Sequence, residues 1–170
     1  MPADTVAEQQ RWPLIKGIKF AMFSAHDGSG HPHARPMTTQ NKTMRDDKLW
    51  FFLSARGDTA QKLIQQPQVT ISYPVPGNDV YVSVSGSVPV VDDKVQRQAL
   101  WTTFAQAWFP GGVGDPDLAL VCETVGHAHL GWRPDAGGPA LLQHPGEERQ
   151  HFLKRRSLII KAPLEAAGAQ

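Results

Sequence analysis

The chain is short of several things, and each shortage narrows what it can be. It has a single cysteine, Cys122, in 170 residues. No internal disulfide can form, which fits a reducing cytoplasm. Charge of one sign is also lacking: 17 Lys plus Arg stand against 16 Asp plus Glu. No global field therefore draws the chain toward nucleic acid or a membrane surface. No apolar stretch approaches membrane-spanning length. The start, "MPADTVAEQQRW", carries acidic residues and lacks the apolar stretch of a secretory signal. There is no internal repeat. What is present, 41% hydrophobic and 19% charged residues, is globular rather than disordered. The expectation is one cytoplasmic domain over residues 1–170, with its own core and no membrane or nucleic-acid partner.

Strand signals dominate the pattern. "IKFAMFSA" (18–25) reads as a buried strand, "HDGSGHP" as a turn, and "HARPMTTQ" (33–40) as the return strand of a hairpin. "KLWFFLS" (48–54) is apolar without alternation, as expected of a strand buried on both faces. "QVTISYP", "DVYVSVSGSVPVV" and "LALVCETV" add further strands rich in β-branched residues. Two helices are expected. In the first, Asp58 is the N-cap and Gln61 completes a capping box before "KLIQQ", with Pro67 closing it. The second starts at Asp92-Asp93 and runs through "KVQRQALWTTFAQAWF" to Pro110-Gly111-Gly112. Trp101, Phe104 and Trp108 then share one face, with Trp101 and Phe104 in the core and Trp108 and Phe109 left at the helix end. Many short strands with few helices predict a mainly β fold, an antiparallel barrel or sandwich with helices packed outside. From about Gly126 the pattern weakens into the Gly- and Pro-rich "RPDAGGPALLQHPGEE", and one more strand is expected around "SLIIKAP".

Several residues carry candidate chemistry. A helix beginning near Asp58 presents the amides of Thr59 and Ala60 at its positive end, and Lys62 one turn in leans back toward the same point. Ser54 and Thr59 add hydroxyls. That combination makes a phosphate cradle beside an aromatic wall, although an ordinary capped helix with a solvated lysine has the same sequence. Arg35-Pro36-Met37 puts a planar cation beside a strand irregularity, suited to a phosphate or a heteroaromatic carbonyl; a solvated hairpin arginine is the plain alternative. His26, His31 and His33 gather around a turn, and His127 and His129 lie two apart on a strand, so either set suits a metal. Without a matching Cys or an HExxH spacing, solvated turn histidines explain them better. Cys122, in an apolar strand with no base nearby, is a poor nucleophile. The basic Lys154-Arg155-Arg156 reads as a solvated face, and the Arg56-Gly57-Asp58 tripeptide as loop chemistry.

The order of "HARPMTT", "LWFFLS" with "DTAQKL", "QVTISY", "YVSVSGSVPVVDD" and "AWFPGGVGDPDLALV" resembles the general stress protein branch of the pyridoxamine 5'-phosphate oxidase-like split-barrel flavoproteins, over about residues 12–125. The resemblance implies a six-stranded antiparallel split β-barrel with flanking helices, dimeric, holding FMN (FAD is the alternative) between two subunits. By motif, Arg35, Pro36 and Met37 would lie along the flavin ring and ribityl chain with Thr38 nearby. Phe51, Phe52, Leu53 and Ser54 would run under the cofactor, Thr59 and Lys62 would hold the phosphate, and Trp108 and Phe109 would flank the flavin from the same or the partner chain. Tyr81 and Ser83 would fall on the strand that helps build the interface. The chain departs from the pattern in a longer Ser54-to-Lys62 stretch. It departs again after "LALV", where "GHAHLGWRPDAGGP" replaces an acidic-aromatic ending, with Trp132 as its remnant; residues 126–170 form a divergent extension. The expected function is flavin-dependent redox chemistry on an unknown small molecule, with no catalytic residue assigned and no metal. A non-enzymatic flavin-buffering stress protein is the first alternative and a His-based metal-binding barrel the second. Oxidation of pyridoxamine phosphate itself is disfavoured, for want of a second phosphate site.

Overall fold

The computed structural model of the chain describes residues 11–26, 29–75, 80–132 and 157–161. The N-terminal decapeptide, Asp27-Gly28, the Gly- and Pro-rich stretch after Trp132 and the basic Lys154–Arg156 segment lie outside the described residues. Helical residues 11–15 (α1) lead into β1 (Ala21–His26) and β2 (Pro32–Met37). Then come β3 (Lys48–Ser54), α2 (Asp58–Gln65), β4 (Gln68–Val75), β5 (Val80–Ser87) and β6 (Val90–Val91). Helices α3 (Lys94–Leu100) and α4 (Thr103–Gln106) precede β7 (Leu118–Trp132), and β8 (Ser157–Lys161) comes last.

Six strands run in the order β2-β1-β4-β5-β7-β3, with β6 and β8 as short additions on β7. Every pairing is antiparallel. Beyond β2 the chain bridges back to the far edge: Thr39 pairs with Phe51, and the Gln40 amide donates to the Trp50 carbonyl at 2.8 Å. The sheet thereby curls round on itself, which covers its open edges. This is the mainly β, antiparallel barrel that the residue pattern predicts, with the six strands of the split barrel that the resemblance implies.

The long β7 makes the curl possible. Its first half pairs with β3, its second with β5, and β8 pairs alongside residues 127–131. The strand thus continues six residues past Gly126, where the sequence pattern weakens, because ladders on both sides supply the hydrogen bonds that side-chain alternation does not advertise. Between Ser85 and Gly86 the β5–β7 register slips. A Cβ at Gly86 would lie 2.1 Å from the Thr124 carbonyl oxygen, so only glycine lets the two backbones approach this closely.

Continuous apolarity in β3 has the predicted consequence. Leu49, Phe51 and Leu53 enter the barrel core with Phe23, Ile71, Val84 and Val121. Phe52 faces the other way, into a second cluster with Leu100, Phe109, Leu118 and Leu120. The rings of Phe23 and Phe51 meet edge-on with centroids 5.6 Å apart, a geometry aromatic pairs favour.

The second expected helix is interrupted: it stops at Leu100 and restarts at Thr103. Asp93 caps it as expected, its carboxylate accepting from the Gln96 amide at 2.8 Å. At Trp101, however, the backbone turns extended (ψ 137°) and the ring packs on Phe52 at 6.0 Å. Burying Leu100 and Phe109 in the same cluster requires this break, since a straight helix would carry them apart. The shared aromatic face is therefore lost. Trp101 is half-buried, whereas Phe104 is 44% and Trp108 72% exposed, so Phe104 is not core. Among the described residues no helix is long and apolar enough to cross a membrane.

Candidate functional site

The β1–β2 hairpin and α2 together form one concave site. In the hairpin register Phe23 lies opposite Arg35 and Ala25 opposite His33, and directly opposed residues project to the same side of an antiparallel pair. That side faces α2, which buries Thr59, Ala60 and Leu63. Between them opens a cleft of about 110 Å³. Its apolar floor is Phe23 and Ala25 of β1; one wall is His33 and Arg35 of β2, and the other is Asp58, Thr59 and Lys62 of α2, with His26 at the rim. Three of the residues picked out in the sequence, Arg35, Thr59 and Lys62, line the same cleft although 27 positions separate the first from the last.

The start of α2 departs from the capping-box expectation. Gly57, not Asp58, is the N-cap, with an extended backbone (φ −69°, ψ 149°) and no side-chain cap. Asp58 is the first helical residue, and the Gln61 side chain donates to the Ala55 carbonyl at 3.0 Å instead of closing a box. Asp117, at the start of the final long strand, organises the loop in its place. Its carboxylate accepts from the Ser54 hydroxyl at 2.8 Å and from the Arg56 amide at 3.0 Å, while the Ala55 amide donates to the Asp117 carbonyl at 2.7 Å. The Ser54 bond, with the Arg56 amide behind it, holds the Asp117 carboxyl below its ordinary value. With the loop pinned this way, Asp58 lines the cleft.

The other candidates lie around this cleft rather than in it. Pro36 is exposed on β2; Met37 is half-buried and packs on the core, and Thr38 is half-buried beyond the strand. Phe51 and Leu53 are core and Phe52 belongs to the second cluster, so none of these side chains lines the cleft; Phe51 packs edge-on against Phe23, which is fully buried at the cleft base. The Ser54 hydroxyl is spent on Asp117. Phe109 is buried in the second cluster and Trp108 points to solvent; neither lines the cleft within one chain. Sequence reasoning missed Phe23, His33 and Asp117 as site residues. His33 has a signal, its i, i+2 spacing to Arg35 on a strand, but the sequence reads it as a solvated turn histidine.

Among the described residues no group of three or more His, Cys, Asp or Glu comes together to hold a metal ion. His31 shares a hydrogen bond of 2.8 Å with the Ser29 hydroxyl in the turn, and His127 pairs in register with Ser85. Burial pushes the Cys122 thiol up to about 11, which removes it as a nucleophile at neutral pH.

The barrel interior holds a group of a different kind. Glu123 is fully buried, and neither carboxyl oxygen has a hydrogen-bond partner. Desolvation raises it to about 8, so it is a neutral acid at pH 7. Nearby, the Tyr73 hydroxyl shares a hydrogen bond of 2.7 Å with Thr39 and is raised by burial.

Comparison with known proteins adds the following. Residues 7–137 match the model of the family described as pyridoxamine 5'-phosphate oxidase like. The general stress FMN/FAD binding protein of Xanthomonas citri is 30% identical, with 75% of this chain and 89% of that one aligned at a TM-score of 0.65. A general stress family protein of Xanthomonas campestris pv. campestris is 29% identical over 87% of this chain and 99% of that one, also at 0.65. A Clostridium acetobutylicum protein related to general stress protein 26 shares the fold at 17% identity, with 76% and 90% of the two chains covered and a TM-score of 0.66. A search of curated proteins gave no match.

Proposed function

Because the chain belongs to the pyridoxamine 5'-phosphate oxidase-like family, in its general stress branch, we propose that it binds FMN and acts as a flavin-dependent oxidoreductase on a small molecule, as a homodimer with the flavin between subunits. One observation carries the reading: two cations, Arg35 and Lys62, line one cleft together with Thr59 at the start of a helix. This donor set fits a phosphate monoester, which needs charge-assisted hydrogen bonds and gains from a helix N-terminus. The bound flavin would supply the electron-transfer chemistry. The protein's part is to bind it, orient it and keep water from it.

Size argues for the second subunit. Small-molecule sites usually enclose roughly 300–1,000 Å³, and this cleft offers about 110 Å³. It accommodates the phosphate end, and the planar ring needs a further wall. Pro36, Met37 and Thr38 would follow the ribityl chain and ring, with the backbone of Phe51–Ser54 beneath. The wall would be the partner's aromatic turn, Trp108 held in place by buried Phe109. Exposed Phe20, Met22, Phe104 and Trp108 support an apolar face that a second copy covers.

The test is the visible spectrum of purified protein, together with mass spectrometry of what heat releases. A colourless protein that takes up no added FMN overturns the reading. Lys62→Ala should weaken FMN about 10- to 100-fold and riboflavin little, as expected when a contact worth about 1.5–3 kcal/mol addresses only the phosphate. Steady turnover with a nicotinamide donor supports the oxidoreductase; tight FMN without turnover under any donor identifies a flavin-buffering protein instead.

A further inference from the structure

The charges that face the cleft do not balance the proposed ligand. Among the described residues, the titratable groups that line it are His26 of β1, His33 and Arg35 of β2, and Asp58 and Lys62 of α2. Arg35 and Lys62 minus Asp58 leave a single positive charge, while a phosphate monoester above about pH 7 carries two negative ones. The occupied cleft is then one charge short of neutrality. An ordinary imidazole titrates near pH 6.5 and is the one side chain that can gain a proton for this purpose at physiological pH.

His33 is placed to do so. It precedes Arg35 by two on β2, and its register partner Ala25 forms the cleft floor, so His33 and Arg35 form one wall. His26 ends β1 opposite Pro32, and strand alternation turns it away from the side that Ala25 faces, leaving it at the rim. Resting on the reading of this cleft as the phosphate site, we propose that His33 takes up a proton when the phosphate monoester binds, becoming the third cation of the site. The step is a proton transfer from solvent to an imidazole nitrogen. It places a charge-assisted donor against the phosphate and offsets Asp58. Flavin binding thereby becomes pH-linked: affinity falls as pH rises, because the bound state holds more protons than the free one.

The test is calorimetric titration of the full chain at pH 7.5 in two buffers of different ionisation enthalpy. At that pH the phosphate of free FMN, with its second ionisation near pH 6, is already dianionic. FMN should take up roughly half to one proton per site and riboflavin close to none, with FMN affinity dropping up to about tenfold per pH unit between 7.5 and 8.5. His33→Gln keeps a hydrogen-bonding side chain at an exposed strand position, so it leaves the fold intact. It should remove most of the uptake and flatten the pH slope for FMN. FMN binding without proton uptake overturns the proposal, as does uptake unchanged in His33→Gln. Failure of FMN to bind at all would instead overturn the function assigned to the cleft.

Discussion

The cleft at the end of the barrel and the barrel interior treat ionisable groups in opposite ways. In the cleft, Arg35, His33, Lys62 and Asp58 line a water-accessible mouth, where solvent can hydrate a charge and the side chains are available to a ligand. Within the barrel, Glu123 is buried with no partner for either oxygen, so it is neutral and its charged form is expelled. The two regions are joined by the same sheet: β1 contributes the cleft floor and pairs with β4, which carries Tyr73 into the interior. Charge alone does not mark a site. Convergence of charges on a cavity points to a ligand; isolation of one in a packed core points to a constraint on stability.

The largest effect that tests this contrast is the alkaline stability of the barrel. The Glu123 acid lies at about 8 when folded against an ordinary 4.5. The unfolded chain therefore releases its proton first, and stability falls as pH rises from about 4.5 through about 8, then levels off. At about 1.4 kcal/mol per pH unit this amounts to roughly 3–5 kcal/mol between pH 5 and pH 9. Denaturant midpoints measured across that range should decline in the wild type and stay nearly flat in Glu123→Gln. Parallel curves for the two proteins would place Glu123 in contact with compensating groups and end the contrast. FMN affinity at a fixed pH should be the same in both, since Glu123 does not line the cleft.

Next in size is Gly86→Ala. Its methyl would fall on the Thr124 carbonyl, next to Glu123 Cγ at 3.3 Å, and separating two paired backbones should cost about 2–4 kcal/mol in chemical denaturation. A loss under about 1 kcal/mol would mean that the β5–β7 seam yields easily. Smaller again is Asp117→Asn, which weakens the bonds from Ser54 and the Arg56 amide at the mouth of α2. A small loss of stability is expected at pH 7. Because the Asp117 carboxyl is held below its ordinary value, its contribution is present above about pH 4 and fades as pH falls further, opposite in sign to that of Glu123. If Asp117→Asn is as stable at pH 7 as the wild type, the loop is held by its backbone bonds alone.

Much of the fold could be read from residues because the relevant physics is local. Unbroken apolarity in "KLWFFLS" meant burial on both faces, and β3 has it. Asp93 announced a helix start and caps one. The failures have one common cause, namely partners distant in sequence. Asp58 matches a local capping pattern, yet Asp117, fifty-nine positions away, organises that loop. The run through "ALWTTFAQAW" has helical periodicity, yet a cluster built on Phe52 and Leu120 bends it at Trp101. The barrel position of Glu123 could not be seen, since a glutamate in "LALVCETV" looks like the solvent-facing member of an alternating strand.

What the sequence alone determined is the set of elements and the chemical kinds of the groups: a β-rich chain, a hairpin carrying His33 and Arg35, and a helix start carrying Thr59 and Lys62. These follow from periodicity, turn residues and residue type, which act over a few positions. Only the tertiary structure decided which groups meet and which are shut away. Pairing of β1 with β2 and packing of α2 across them brought two cations, an imidazole and a carboxylate to one mouth. The slipped register at Gly86 and the two ladders on β7 enclosed Glu123. Desolvation and Coulomb energy depend on distance in space, and that distance exists only once the barrel has closed.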